Sequence, residues 1–183
     1  MITLRDQFKL KNYKTDKNSI HSYIENVYDQ LLSEKRNSTN ILEIGVSEGG
    51  SILLWRDYFI NATIDAIDIN DCSRFIDTNR INHIIGDAYT KDFVCGLKNK
   101  YDIIIEDGPH TLDSTVFFVK NYLNLLRHDG IAIIEDVKSD TWIDIIKENV
   151  PDNFTLDVID LRDIKGRFDD LVLIVSRCKV GAE

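Results

Sequence analysis

From residue 40 onward, short apolar runs alternate with longer stretches in which apolar and polar residues are mixed. This alternation is typical of βαβ units, because parallel strands buried on both faces carry few polar residues. We predict strands near residues 41–46, 64–69, 82–85, 101–106 and 131–135. We predict helices near residues 50–60, 89–97, 112–127 and 139–149.

The clearest helix has apolar residues at helical spacing, namely Val116, Val119, Tyr122, Leu123 and Leu126. We expect Asp129-Gly130 to separate this helix from the next strand. Two further extended patterns, near residues 153–159 and 171–176, predict a C-terminal β-hairpin. The predicted fold is therefore α/β and Rossmann-like, with a seven-stranded, mostly parallel sheet, helices on both faces and an antiparallel C-terminal hairpin.

The chain of 183 residues is long enough for one large core, so we expect a single domain over residues 1–183. Residues 1–39 are predicted to form a helical cap or lid, since an amphipathic helix is indicated near residues 18–35. Residues 40–177 are predicted to form the Rossmann-like core.

Composition narrows the possible functions. The formal charge of −9 argues against a protein that grips a nucleic acid phosphate backbone, and it favours a small or neutral acceptor. The N-terminus lacks a signal-peptide pattern and the apolar runs are strand-sized, so we expect a cytoplasmic protein without a membrane segment. Cys72, Cys95 and Cys178 show no C-x-x-C spacing, which gives no support for a disulfide framework or a structural zinc site.

A glycine-containing loop follows the first predicted strand. Gly45, Gly49 and Gly50 are positions where a ligand could approach the backbone closely. Ser47 breaks the G-x-G-x-x-G dinucleotide fingerprint, so hydride-transfer chemistry is disfavoured.

Two acids lie at the ends of the next two strands. Asp68 is about 20 residues beyond the loop, where a carboxylate can bind both ribose hydroxyls of a nucleoside. Asp87, in Gly86-Asp87-Ala88, is placed to recognise an adenine amino group. The alternative for Asp68 is a solvated acid at the end of a strand.

A second set of polar residues follows the fourth and fifth predicted strands. Asp107, Glu135 and Asp136 should meet at one edge of the sheet, where a hard cation such as Mg²⁺ would offset their charge. His110 could face the same cavity and act as a general base. The alternative is that Asp107 and His110 cap the following helix.

The segment from Lys14 to Tyr23 is polar and contains His21. It could fold over a cofactor or acceptor as a lid. A capped surface helix is the alternative, because Ser, Thr, Asp and Asn commonly begin helices.

These motifs together resemble the class I S-adenosylmethionine-dependent methyltransferases, and among them the metal-dependent sugar O-methyltransferases of the macrocin, mycinamicin and cephalosporin-hydroxylase-like group. The matching segments are Thr15-Asp16-Lys17, His21-x-Tyr23, Glu43-Ile44-Gly45-Val46, Gly49-Gly50-Ser51, Trp55, Asp68, Gly86-Asp87, Asp107-Gly108-x-His110 and Ile134-Glu135-Asp136.

The resemblance implies a site for S-adenosylmethionine and one for Mg²⁺ or Mn²⁺. We expect cofactor binding by Glu43, Gly45, Ser47, Gly50, Ser51, Asp68, Ile69, Asp87 and Ala88. The resemblance assigns metal binding to Asp107, Glu135 and Asp136, and catalysis to His110 with Asp107. The chain departs from the family at Pro109, where Ser is common.

The implied reaction is O-methylation of a sugar hydroxyl on a glycan, glycoside or nucleotide sugar. Methylation of a catechol-like molecule and a non-catalytic cofactor-binding module remain alternatives. We expect a small-molecule or glycan sugar as partner, with neither nucleic acid nor membrane. The chain could form a homo-oligomer or be one domain of a larger glycan-modifying protein.

Overall fold

A computed structural model describes residues 2–76 and 79–178, so the predicted domain limits at residues 1 and 183 lie outside the described residues. One seven-stranded sheet runs through the molecule in the order β3-β2-β1-β4-β5-β7-β6. Its strands are β1 (Asn40–Ile44), β2 (Thr63–Asp68), β3 (Ile81–Ile85), β4 (Tyr101–Glu106), β5 (Leu126–Ile134), β6 (Phe154–Asp160) and β7 (Leu171–Arg177).

The first five strands are parallel, whereas β7 is antiparallel to both β5 and β6. This order reverses beside β1, and in such sheets ligands bind outside the carboxyl ends of the strands at the reversal. The predicted fold class is confirmed, including its antiparallel C-terminal strands.

Helices cover both faces of the sheet. They are α1 (Leu4–Leu10), α2 (Asp16–Ser19), α3 (Asp29–Ser33), α4 (Gly50–Tyr58), α5 (Lys91–Gly96), α6 (Leu112–Asn121), α7 (Asp140–Asn149) and α8 (Arg162–Lys165). A π-helical turn, Ile24–Tyr28, leads directly into α3. The continuous helix predicted near residues 18–35 is therefore interrupted at residues 20–22, with α2 before the break and the π-helical turn and α3 after it. Across the described ranges, none of the helices has the length and apolarity needed to cross a membrane.

Alternate residues of the central strands pack on opposite faces. Ile41, Ile103 and Ile133 join one buried cluster, which also contains Trp55 of α4. Leu42, Ile104 and Ala132 join the other, which contains Phe118 of α6. Burial on both faces explains the uninterrupted apolar runs of the sequence.

The prediction that Asp129-Gly130 separates a long helix from the next strand was wrong. Helix α6 ends at Asn121, a 3₁₀ turn follows at Leu123–Leu125, and β5 already begins at Leu126. The strand pairing is irregular between Tyr101 and Ile103, on the β4 side of this pair. Gly130 is needed at that irregularity, since a Cβ there would lie 2.9 Å from the Tyr101 carbonyl oxygen.

Candidate active site

The glycines of the first loop make room for the backbone of the protein itself. Gly45 has φ +96°, and a Cβ on it would lie 1.9 Å from the carbonyl oxygen of Asp107. A Cβ on Gly50 would lie 2.0 Å from the carbonyl oxygen of Lys14. The loop after β1 is thus packed against both the loop after β4 and the N-terminal segment.

A cavity of about 1070 Å³ lies over these loops at the carboxyl ends of the strands. Of the residues predicted to bind the cofactor, its lining includes Gly45, Ser47, Gly50, Ser51, Asp68, Ile69, Asp87 and Ala88. The predicted catalytic residues Asp107 and His110 line the same cavity, as do Phe8, Tyr13 and Thr15 from the N-terminal segment. The cavity therefore connects the two predicted parts of the site.

Asp68 is held by the loops beside it. Its Oδ2 accepts hydrogen bonds from the backbone N–H groups of Val46 (2.9 Å) and Ser47 (3.3 Å), and its Oδ1 accepts one from Asn70 (2.9 Å). Partial burial raises the pKa of Asp68, but these hydrogen bonds outweigh it and hold the pKa below its usual value. Asp68 is therefore an ionised acceptor at the cavity wall.

Glu43 lies beneath the loop and is not among the residues that line the cavity. Its carboxylate is fully buried and accepts hydrogen bonds from Ser51 Oγ (2.6 Å) and Trp55 Nε1. Burial raises the pKa of Glu43 to about 7, although Lys17 opposes this effect. Direct cofactor binding by Glu43 stays a prediction, while its observed contacts support the loop from below.

The acids after β4 and β5 meet around one lysine. Lys17 Nζ donates hydrogen bonds to Asp107 Oδ2 and Glu135 Oε2, both at 2.6 Å, and lies 3.8 Å from Glu43 Oε1. The lysine side chain is fully buried. Burial opposes its charge, but the three carboxylates outweigh burial and keep the pKa of Lys17 well above its usual value. The segment predicted as a lid thus inserts a cation among the predicted metal ligands.

Two tyrosines donate hydrogen bonds to two further carboxylate oxygens of these acids. Tyr23 Oη donates to Asp136 Oδ1 at 2.5 Å, and Tyr28 Oη donates to Glu135 Oε1. Both oxygens of Glu135 are therefore hydrogen-bonded, one to Lys17 and one to Tyr28. Metal binding by Glu135 stays a prediction, and it would require one of these oxygens to be shared.

His110 faces the remaining oxygens. Its Nε2 lies 3.7 Å from Asp107 Oδ1 and 3.6 Å from Asp136 Oδ2. His110 (φ +51°) and Asp136 (φ +56°) both have left-handed backbone conformations, which are strained for residues other than glycine. Such strain is often retained at functional sites.

The helix-capping alternative for Asp107 and His110 is wrong. Thr111 is the N-cap of α6, and it forms a capping box with Ser114. Asp107 and His110 lie before this cap and face the cavity instead.

A divalent cation fits the arrangement of donor atoms. Asp107, His110 and Asp136 offer one ligand atom each, and these atoms lie within 4.8 Å of one another. Among the described residues, the buried Nδ1 of His110 has no hydrogen-bond partner. Carboxylate oxygens suit Mg²⁺ or Mn²⁺, so Asp107 and Asp136 would hold the ion with the imidazole of His110 beside it. A second such set, His21, Asp136 and Asp170, is explained by the hydrogen bond between His21 Nδ1 and Asp170 Oδ1.

Sequence reasoning did not assign Lys17, Tyr23, Tyr28 or Asp170 to the site. The first two were part of the segment considered as a lid, and Tyr28 lay within the amphipathic helix predicted near residues 18–35. The available signal was the occurrence of a lysine, a histidine and two tyrosines within residues 17–28.

Comparison with known proteins gives related sequences and folds. No protein-family model matches the chain. The chain is 28% identical over 140 residues to the 8-demethyl-8-alpha-L-rhamnosyl tetracenomycin-C 2'-O-methyltransferase of Streptomyces olivaceus, which covers 70% of the chain and 36% of that enzyme. It is 31% identical over 126 residues to the mycinamicin VI 2''-O-methyltransferase of Micromonospora griseorubida, covering 63% of the chain and 31% of that enzyme.

Among solved structures, the mycinamycin-pathway methyltransferase MycE, in complex with Mg and SAH, superposes with a TM-score of 0.77 at 22% identity. The match covers 100% of the chain and 57% of MycE. The chain thus spans about a third of the length of the curated relatives it matches. The predicted resemblance to class I methyltransferases of the sugar O-methyltransferase group is confirmed.

Proposed function

We propose that this chain, which has the class I methyltransferase fold and sugar O-methyltransferases as its relatives, is itself an S-adenosylmethionine-dependent and divalent-metal-dependent O-methyltransferase acting on a sugar hydroxyl. The observation that carries the proposal is the position of His110 between Asp107 and Asp136 on the wall of the large cavity. The cavity offers room for a nucleoside cofactor on the side of Asp68 and Asp87.

The two regions of the cavity have different tasks. When bound, S-adenosylmethionine supplies a methyl group from its sulfonium sulfur, and Mg²⁺ supplies positive charge beside the acceptor oxygens. Asp68 accepts hydrogen bonds from the ribose, since it is ionised at neutral pH. Asp87 faces the base of the nucleoside from the loop after β3.

His110 takes the proton of the acceptor hydroxyl at Nε2 as the oxygen gains the methyl group. Asp107 and Asp136 would hold the metal ion, with Glu135 as a third predicted ligand. The carboxylates also stabilise the protonated imidazole, because Asp107 Oδ1 and Asp136 Oδ2 lie within 3.7 Å of its Nε2. The product is an O-methyl sugar.

The test is transfer of labelled methyl from S-adenosylmethionine to a panel of rhamnose, fucose and xylose glycosides, with catechol as a separate arm. We expect transfer to a sugar that is abolished by EDTA and restored by Mg²⁺. His110→Ala should reduce kcat by about 100-fold or more, whereas the exposed His128→Ala serves as control and should not change it.

Transfer that survives both EDTA and His110→Ala would refute the proposal. Transfer to catechol alone would replace the sugar with a phenolic acceptor. S-adenosylmethionine binding without transfer to any acceptor, with no effect of metal, would favour a cofactor-binding module.

A further inference from the structure

Residues 15–28, called here the N-terminal strap, reach every acidic side chain at the ends of β4 and β5 that was predicted to bind metal. The strap consists of α2, a short connection and the π-helical turn. It is anchored from the other end of the chain, because Lys165 Nζ donates to the carbonyl oxygens of Asn18 (2.9 Å) and His21 (2.6 Å). A segment held in this way can fix side chains in one orientation.

The strap contacts only one side of the Asp107 carboxylate. Lys17 Nζ lies 2.6 Å from Asp107 Oδ2, whereas Asp107 Oδ1 faces His110 Nε2 at 3.7 Å. The lysine also binds Glu135 Oε2, so its ammonium group lies between two strand ends. Lys17 therefore fixes the plane of Asp107 and leaves Oδ1 directed towards the cavity.

Asp136 is held in the same manner. Tyr23 Oη donates to Asp136 Oδ1 at 2.5 Å, whereas Asp136 Oδ2 faces His110 Nε2 at 3.6 Å. The ring of Tyr23 stacks on the ring of His21 with centroids 4.6 Å apart, and Asp170 fixes His21 by a hydrogen bond to Nδ1. The tyrosine hydroxyl is thus itself locked by packing.

We propose that Lys17 and Tyr23 are positioning residues of the methyl-transfer site, each holding the rear oxygen of one carboxylate so that the front oxygens of Asp107 and Asp136 converge on His110. This inference rests on the proposed function and adds the residues that orient its ligands. Groups that orient metal ligands from outside the coordination shell commonly change metal affinity or activity by about 10- to 100-fold when removed.

The decisive variant is Tyr23→Phe, which removes only the hydroxyl. We expect the Kd for Mn²⁺, measured by electron paramagnetic resonance without S-adenosylmethionine or acceptor, to rise about 10- to 100-fold. We expect kcat to fall while KM for S-adenosylmethionine is unchanged, since the strap holds the carboxylates and leaves Asp68 untouched.

Tyr101→Phe is the matched control. Tyr101 Oη also donates to a buried aspartate, Asp65 Oδ2 at 2.7 Å, but it does so at the opposite end of the sheet. Tyr101→Phe should lower Tm by about as much as Tyr23→Phe does, but it should leave the Kd for Mn²⁺ as in the wild type. Lys17→Arg is the second variant, because a guanidinium group keeps the charge and cannot occupy the same compact position. It should also weaken Mn²⁺ binding.

Equal Mn²⁺ affinity of the wild type, Tyr23→Phe and Lys17→Arg would overturn the positioning role and leave the proposed function standing. A wild-type protein that neither binds Mn²⁺ nor loses transfer with EDTA would overturn both. If Tyr23→Phe and Tyr101→Phe weaken Mn²⁺ binding equally, the effect is general loss of stability and the positioning role is again wrong.

Discussion

The two halves of the site satisfy their carboxylates in different ways. In the cofactor half, formed by the loops after β1, β2 and β3, Asp68 accepts hydrogen bonds from Val46, Ser47 and Asn70, which lie in the loops around it. In the carboxylate half, formed by the loops after β4 and β5, the acids are bound by Lys17, from a segment 90 and 118 residues away in sequence.

This difference has an energetic meaning. Backbone N–H groups of a loop are present wherever the loop folds, so the cofactor half depends on local structure. A buried ammonium group among carboxylates is favourable only when all its partners are in place, because each buried charge loses its hydration. The carboxylates of the carboxylate half therefore depend on docking of the N-terminal segment for their partners. Asp68 in the cofactor half depends on it much less.

The largest expected effect comes from Lys17→Met. Removing the buried cation leaves Asp107 and Glu135 without their partner, so the free energy of unfolding should fall by about 3–5 kcal/mol. Lys11→Met is the control, since Lys11 Nζ also lies 2.6 Å from a carboxylate, Asp57, but is exposed. It should cost less than about 1 kcal/mol. Urea unfolding measures both. Similar losses for the two variants would remove the distinction between the halves.

Glu106 gives a pH-dependent test at the boundary of the halves. Its carboxyl group is fully buried and accepts a hydrogen bond from Tyr89 Oη at 2.5 Å. Burial raises the pKa of Glu106 to about 7, against the effect of that hydrogen bond. In the unfolded chain the group ionises near pH 4.5, so between pH 4.5 and 7 the unfolded state loses its proton first and folding becomes less favourable.

Glu106→Gln should remove this dependence. The variant should match the wild type near pH 4 and be more stable above pH 7, by at most about 3 kcal/mol. Urea unfolding in EDTA at a series of pH values provides the measurement. A stability difference that does not vary with pH would mean that Glu106 has the same pKa in the folded and the unfolded chain.

The smallest effect is expected for Asp68→Asn. An asparagine oxygen can still accept from the backbone N–H of Val46, so the free energy of unfolding should change by less than about 1 kcal/mol. Affinity for S-adenosylmethionine, measured by calorimetry, should nevertheless decrease, since the ionised acceptor is lost. A loss of stability as large as that of Lys17→Met would contradict the local character of the cofactor half.

The sequence was sufficient for the sheet and for the ends of its strands. Runs such as Ile103-Ile104-Ile105 are apolar because both faces of β4 are buried, and the acid after each run follows directly from the strand boundary. The predicted boundaries of helices and strands were wrong where tertiary contacts decide where an element begins. Asp129-Gly130 has the composition of a turn, yet pairing with β4 draws it into β5.

The site residues that directly follow strands could be predicted from the sequence. The residues that contact them from distant parts of the sequence could not. Lys17 lies in a polar stretch where a lysine is usually solvated, and only the folded chain brings it to Glu135. The same holds for Tyr28, whose position matches a helical apolar face while its hydroxyl reaches an acid. The local pattern of apolar and polar residues does not indicate contacts between residues that are far apart in the sequence.

Gly50 lies at a close contact between the loop after β1 and the N-terminal segment. Its missing side chain leaves the space that the carbonyl group of Lys14 occupies, three residues before the buried ammonium ion. Enlarging position 50 would push the chain outward at that point and draw Lys17 away from the acids it neutralises. A larger residue at position 50, beside the predicted cofactor site, would then weaken the binding of divalent ions before it changes the binding of the cofactor.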